Sequence, residues 1–435
     1  MGQVRRLWLC VLLGLPLWAQ PYYHIIATGQ SLALGAGGAP ALSTSQPPPG
    51  ATVHNQKALW QGGFQDWVEG TRSGCEDATN GCESPTYAMA GMVTRLSGGT
   101  RQESVYLSAG SGAAYSALKK GGTGASYSDA IGHSLENNKA SIAACDAVVV
   151  VHGEADTDLD ASSSTYEGYL VEWQHDYETD CKAATGQATG VPMFHTQTAS
   201  WTRGSPQRAT PTTTAGAQGV ALGIWQAAKD HADTTYLVGP KYQYAYYTDG
   251  MHLINTSYRA LGSLYAKAVK KVVVDGQKWI PLAPRSITRS GAVITLQCWV
   301  PAGSLTRDTS VVPAQTNDGF EFWDDSGATP AITGVTITGA DTIQISLASA
   351  PSGANQRLRY AYTGTVGAKA GTNNGQNYAR GNMRDSDPTT DPWGNQLYDW
   401  LVVFDEPVGF SWNPIHPASS RAVGRARFSG RGRIQ

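Results

Sequence analysis

The run Ala147-Val148-Val149-Val150-Val151-His152, followed by Gly153-Glu154-Ala155-Asp156, decides the fold of this chain. Four consecutive valines show no alternation, so neither face of the strand is meant for water. β-Branched side chains favour extended backbone. The run then stops at a glycine and a polar cluster. A strand of this kind belongs in the interior of a parallel sheet covered on both sides. Working outward, further apolar strands are expected at Tyr23–Thr28, Ser104–Ser108, Pro192–Thr196 and Thr235–Val238. Segments with helical spacing lie between them: Pro85–Leu96, Asp129–Ala144, Thr165–Lys182, Ala215–Asp230 and Ser257–Val273. Strands alternating with helices make an α/β domain of three layers.

The texture changes after Val274. Trp279–Pro281 and Pro284 read as a linker. Short alternating runs follow at Ala292–Val300, Gly319–Trp323, Ala331–Ile337, Thr342–Leu347 and Leu358–Tyr362, separated by turn residues. They predict a smaller antiparallel β-sandwich. The expected organisation is a leader over 1–19, an α/β domain over 20–276, a β-sandwich over 277–412 and a basic tail over 413–435. The leader has Arg5 and Arg6, then an apolar run from Leu7 to Ala19. That pattern predicts a signal peptide and a secreted or periplasmic protein; the run is too short to span a membrane. The tail carries Arg421, Arg425, Arg427, Arg431 and Arg433 among Gly and Ser and is expected to be disordered.

Of 435 residues, 41% are hydrophobic and 15% charged. Lys+Arg number 32 against 34 for Asp+Glu, so there is no global basic field of the kind that holds nucleic acid. Cys75 and Cys82 flank a polar loop suited to a local disulfide; Cys145 and Cys181 are a second candidate pair, and Cys298 is expected as a buried thiol. No Cys/His group has zinc-site spacing, and neither a metal nor a cofactor is expected.

Ligands of an open parallel sheet bind beyond the carboxyl ends of its strands. The first strand ends in Gly29-Gln30-Ser31, the second in Ala109-Gly110-Ser111-Gly112 and the third in His152-Gly153-Glu154-Ala155-Asp156. After the fifth comes Thr248-Asp249-Gly250-Met251-His252-Leu253. Every candidate polar group therefore falls on one edge. A serine hydroxyl is a weak nucleophile until a base takes its proton, and imidazole titrates in the right range. Ser31 is thus the expected nucleophile and His252 its base. Asp249, three residues earlier, can reach Nδ1 of His252 and fix its tautomer. The oxyanion is assigned to the N–H of Ser31, the N–H of Gly110 or Gly112, and a third donor at His152 or near Glu154. Gln30 and Glu154 are supporting residues. His24, His133 and His195 are expected as structural histidines. Gly35–Gly38 lacks the Lys-Ser/Thr of a phosphate loop, and Ser31-Leu32-Ala33 does not complete a nucleophile elbow.

These blocks resemble those of the SGNH hydrolases, and more closely the carbohydrate-esterase branch that includes sialate O-acetylesterase-like proteins. The matching residues are Gly29-Gln30-Ser31, His152-Gly153-Glu154-Ala155-Asp156 and Asp249-x-x-His252, within about residues 22–275. The resemblance implies a flavodoxin-like order of the parallel strands. It also implies a serine esterase acting on short acyl, above all acetyl, esters of carbohydrate, so that the expected partner is a small-molecule or polysaccharide ester. Gly112 matches the family glycine better than Gly110, since Ala113-Ala114-Tyr115 follow it. Two positions depart from the pattern. His152 stands where the family has an amide, and Ala155 where other branches place Asn. The alternatives are a general lipolytic esterase for longer acyl chains and a non-catalytic carbohydrate-binding protein on a hydrolase fold.

Overall fold

The computed structural model describes residues 22–44, 57–60, 63–66, 79–101, 103–159, 161–199, 219–363 and 379–414. The expected leader and nearly all of the expected tail lie outside the described residues.

The first region is built on a seven-stranded sheet. Its strands are β1 (Tyr22–Gly29), β2 (Lys57–Trp60), β3 (Gly63–Asp66), β4 (Glu103–Ala109), β5 (Ile142–Val151), β6 (Met193–Thr196) and β7 (Thr235–Gly239), in the spatial order β3-β2-β4-β1-β5-β6-β7. The five strands β4-β1-β5-β6-β7 are parallel, with the second strand beside the first and the third on its other side, which is the flavodoxin order. A hairpin of β2 and β3 extends one edge. The valine-rich strand is central and is buried from Cys145 to Val151.

Among the described residues, eight α-helical segments accompany the sheet: α1 (Ser31–Leu34), α2 (Pro85–Leu96), α3 (Tyr115–Leu118), α4 (Ser126–Asp129), α5 (Glu154–Asp158), α6 (Ser163–Thr185), α7 (Gly219–Asp230) and α8 (Asn255–Val269). Long helices start and stop where their end residues say they should. Ser84 accepts the N–H of Thr86 and is followed by Pro85 at the first helical position. Ser162 accepts the N–H of Thr165, and α6 ends on the left-handed Gly186. α2 packs on α8, and α6 on α7. No described helix is long and apolar enough to cross a membrane.

The expected helix over Asp129–Ala144 is not one helix. α4 runs into a wide turn at Ala130–Leu135 and a 3-10 segment at Glu136–Ser141, and β5 already begins at Ile142. Tyr22 pairs with Ile142, so sheet pairing takes residues that helical spacing had claimed.

Past α8, antiparallel sheets follow. One has the order β12 (Ile332–Ile337), β13 (Thr342–Leu347), β9 (Val293–Trp299), β8 (Ala283–Ser290). A second joins β11 (Phe320–Trp323), β14 (Arg357–Tyr360) and β16 (Phe404–Pro407), and a small ladder joins β10 (Thr306–Arg307) to β15 (Met383–Arg384). β8 lies where a linker was expected. Its Pro284 sits on an edge strand beside an irregularity in the register, a place where a missing N–H costs little.

The two regions share one continuous apolar core. Their seam is also strongly polar. Gln197, just after β6, donates to the Val403 carbonyl and accepts its N–H, both at 2.8 Å. Trp225 Nε1 donates to Glu406 at 2.7 Å, and Lys229 pairs with the same carboxylate. Lys267 of α8 reaches Asp387 at 2.7 Å and Asp399 at 2.9 Å. That ammonium serves the buried acidic group Asp385, Asp387 and Asp399, which thereby braces the seam.

Cys82 is disulfide-bonded; Cys75 lies outside the described residues. Cys145 and Cys181 are buried thiols with their sulfurs 3.0 Å apart, and Cys298 is a buried free thiol.

Candidate active site

Ser31 opens the short turn α1 directly after β1, at the carboxyl edge of the sheet. The crossing there is tight. Gly29 has φ +138°, and a Cβ on it would lie 2.1 Å from the Val151 carbonyl oxygen. No other residue fits without moving β5. Ser31 is 5% exposed, so its hydroxyl is presented from a largely buried base. As the first residue of a helical turn, it has an N–H with no intrahelical acceptor.

The candidate acid–base pair, Asp249 and His252, sits on a hairpin-like arm. Tyr246 bridges Leu253, the Tyr247 N–H donates to the His252 carbonyl at 2.7 Å, and the Ile254 N–H to the Ala245 carbonyl at 3.2 Å. Within this arm Asp249 Oδ1 accepts the N–H groups of Met251 at 2.8 Å and His252 at 3.0 Å. Its Oδ2 faces His252 Nδ1 at 2.5 Å. Burial pushes the Asp249 carboxyl up, but the hydrogen bonds from the His252 ring and from both backbone N–H groups outweigh it and hold it at about 2. An ionised carboxylate at Nδ1 places the ring proton there, which leaves the Nε2 lone pair for the serine. Nε2 lies 2.7 Å from Ser31 Oγ. The segment 35–38 presses on this arm: a Cβ on Gly37 would lie 2.7 Å from Cβ of His252.

The side expected to hold the oxyanion is assembled differently. Gly110 donates its N–H to the Gly29 carbonyl at 3.0 Å. That N–H is occupied in joining the ends of β4 and β1, which corrects its place among the candidate donors. Ser111 and Gly112 form an exposed turn closed by the Ala113 N–H on the Gly110 carbonyl at 3.1 Å. Gly112 is therefore the glycine left facing outward.

His152 is the second correction. Its side chain is buried and both ring nitrogens are engaged. Nε2 donates to the Ala113 carbonyl at 3.0 Å, with Asp156 Oδ2 3.3 Å away, and Nδ1 accepts from the Tyr166 hydroxyl at 2.7 Å. Desolvation lowers its pKa, and the nearby Asp156 only partly opposes this, so the ring is neutral. Asp156 also accepts the N–H of Tyr115 at 2.8 Å. His152 and Asp156 thus hold residues 113–115, the segment behind the glycine turn, and His152 offers no free N–H to a substrate. Asp156 was read in the third block without a role of its own, and Tyr166 was not singled out. A buried tyrosine hydroxyl one helix away leaves no local spacing signal.

The supporting residues tie the two sides together. Gln30 Oε1 accepts the N–H groups of Gly153 at 3.3 Å and Ala155 at 3.1 Å, locking the nucleophile turn to the third block. Glu154 Oε1 pairs with fully buried Lys241 at 2.6 Å. Lys241 stands at the root of the acid–base arm, where its carbonyl accepts from the Tyr246 hydroxyl at 3.1 Å. His24 and His195 lie in the strands and are pushed down to about 3 by burial; His133 is at the surface beside Asp129.

No protein-family model matches this chain, and no curated protein does. Solved structures match it in fold. A carbohydrate acetylesterase from Xanthomonas citri superposes with a TM-score of 0.54 at 13% identity, over 88% of this chain and 80% of that one. A protein from Arabidopsis thaliana gives 0.41 at 15% identity, over 57% of this chain and 98% of its own. A carbohydrate acetylesterase from Sinorhizobium meliloti gives 0.33 at 14% identity, over 58% and 99%. The fold is that of the SGNH hydrolases. The Xanthomonas likeness runs past residue 276, since 88% of 435 residues exceeds the first region.

Proposed function

We propose that the chain is a serine esterase that removes short acyl groups, chiefly acetyl, from carbohydrate. The observation that carries this reading is the pair of contacts in line, Asp249 Oδ2 to His252 Nδ1 at 2.5 Å and His252 Nε2 to Ser31 Oγ at 2.7 Å. Ser31 Oγ attacks the ester carbonyl while Nε2 takes its proton. The Ser31 and Gly112 N–H groups receive the oxyanion. The imidazolium returns the proton to the departing sugar oxygen, leaving an acyl-serine and a free hydroxyl. Water then attacks the acyl carbon, His252 takes its proton and returns it to Ser31, and a carboxylic acid leaves. Carbohydrate is favoured by the acetylesterase whose fold extends over both regions. Export through the N-terminal leader belongs to the same reading.

The test is a fluorophosphonate probe with peptide mapping, alongside turnover of p-nitrophenyl acetate. Labelling at Ser31, and loss of turnover by about 10⁴-fold or more in Ser31→Ala, is the expected result. Wild-type-like turnover in Ser31→Ala sinks the assignment. Failure of the wild-type chain to react with the probe supports the non-catalytic alternative instead.

A further inference from the structure

A cavity of about 580 Å³ opens on the seam between the two regions, and neither Ser31 nor His252 lines it. One wall is the 243–245 segment with α8, and the other comes from the second region, chiefly Asp308, Arg384, Tyr398 and Trp400. Its volume lies within the usual range of small-molecule sites, about 300–1,000 Å³, and seams between regions are where such sites collect. By contrast, a second cavity of about 360 Å³ lies at the amino edge of the parallel sheet, around Arg101 and Asp146.

The chemistry of the larger cavity is specific. Three aromatic residues, Tyr244, Tyr398 and Trp400, contribute to its wall. The Arg384 guanidinium lies 3.6 Å over the Tyr398 ring, which stiffens that platform. Its charges cancel internally, because Arg384 Nε donates to Asp308 Oδ2 at 2.6 Å. The same Asp308 carboxylate takes the N–H groups of Ser310 and Val311 at 2.8 and 3.0 Å. A charged ligand would therefore have to break a satisfied pair. The exposed Gln396 amide stands among the lining residues and offers a donor and an acceptor to a ligand. Aromatic rings, an amide acceptor and no net charge suit a ligand with flat C–H faces and many hydroxyls.

We propose that this cavity is a second glycan site, for one or two rings of a neutral saccharide. It extends the carbohydrate reading above and does not depend on catalysis. On a polymer it would hold a segment of chain distant from the ester being cleaved.

The test uses the full-length chain carrying Ser31→Ala and two unacetylated probes, β-1,4-xylotetraose and cellotetraose, with N-acetylneuraminic acid as the charged control. Binding is followed by saturation-transfer NMR and calorimetry. At least one neutral probe is expected to bind, and Tyr398→Ala or Gln396→Ala to weaken it by about tenfold, roughly what one ring or one polar contact contributes. Unchanged melting curves show that both variants are folded. Phosphonate blocking of Ser31 in the wild-type chain is expected to leave binding intact. The proposal is overturned if neither neutral probe binds, if the acid binds better, if Tyr398→Ala changes nothing, or if the phosphonate abolishes binding. Turnover of p-nitrophenyl acetate by the wild-type chain is read separately, so failure of the catalytic reading stays distinguishable.

Discussion

The two arms that meet at Ser31 hold their groups by different means. The acid–base arm is a single turn of four residues. Its carboxylate is bonded to the backbone and the ring that follow it, and it is partly open to water, with the Asp249 side chain 40% exposed. The arm proposed for the oxyanion joins Gly112, Ala113, His152, Asp156 and Tyr166 from three separate segments, and its key ring is 0% exposed. A local turn keeps its geometry when its surroundings relax. A buried network keeps it only while every polar member stays satisfied.

The sharpest way to break this comparison is at the base. His252→Ala is expected to lower kcat on p-nitrophenyl acetate by about 10⁴-fold while leaving the melting temperature nearly unchanged, because the arm is closed by backbone bonds. A loss below tenfold would mean that the arm is not the chemical half.

Asp249→Asn comes next, with a loss of about 10²–10⁴-fold, since the amide no longer enforces the right tautomer. The folded pKa of Asp249, about 2, lies below its unfolded value. Its stabilising contribution is therefore present above about pH 4 and disappears only as pH falls toward 2. An activity loss centred between pH 5 and 7 in the wild type must then come from another group, and a pH–rate profile of the pair of proteins checks this.

Tyr166→Phe probes the other arm. It removes the donor to His152 Nδ1 without touching the substrate, so a fall of about tenfold in kcat at constant KM is expected. Stability should drop by about 1–3 kcal/mol, from the unsatisfied ring nitrogen. If only stability changes, residues 113–115 do not set the position of the glycine turn.

The smallest effect on turnover, none, is expected at the opposite edge of the sheet. Burial raises Asp146 to about 7, with Arg101 opposing. Its folded pKa exceeds the unfolded one, so its contribution is fully present below about pH 4 and is lost as pH rises through 7. Relative to wild type, Asp146→Asn should gain up to about 2 kcal/mol between pH 5.5 and 8, read by urea melts at both pH values. A flat difference would place the titration elsewhere.

The same contrast explains what could be read from the chain. The meeting of Ser31, Asp249 and His252 was legible because each is fixed by what stands beside it: a strand end, a three-residue offset, a parallel sheet that gathers loops on one edge. The valines of β5 announced their own burial. His152 was misread because its partners lie 14 and 39 residues away in sequence. Gly110 was misread because its acceptor belongs to another strand. Pro284 argued for a linker until an edge position excused it, and the helical spacing of 129–144 lost to pairing with Tyr22. Remote pairings stayed hidden unless, like Ser31 and His252, both residues were announced by a strand end on the same edge of the sheet.

Gln197 exchanges two hydrogen bonds with Val403, as one strand does with its neighbour. In engineering terms, the boundary near residue 276 is a poor place to cut. A chain ending there would leave Trp225, Lys229 and Lys267 without their acceptors and open a shared core. The later sheets are less a cargo that could be swapped for another than the missing wall of the first region, and a melting curve with a single transition would be their signature.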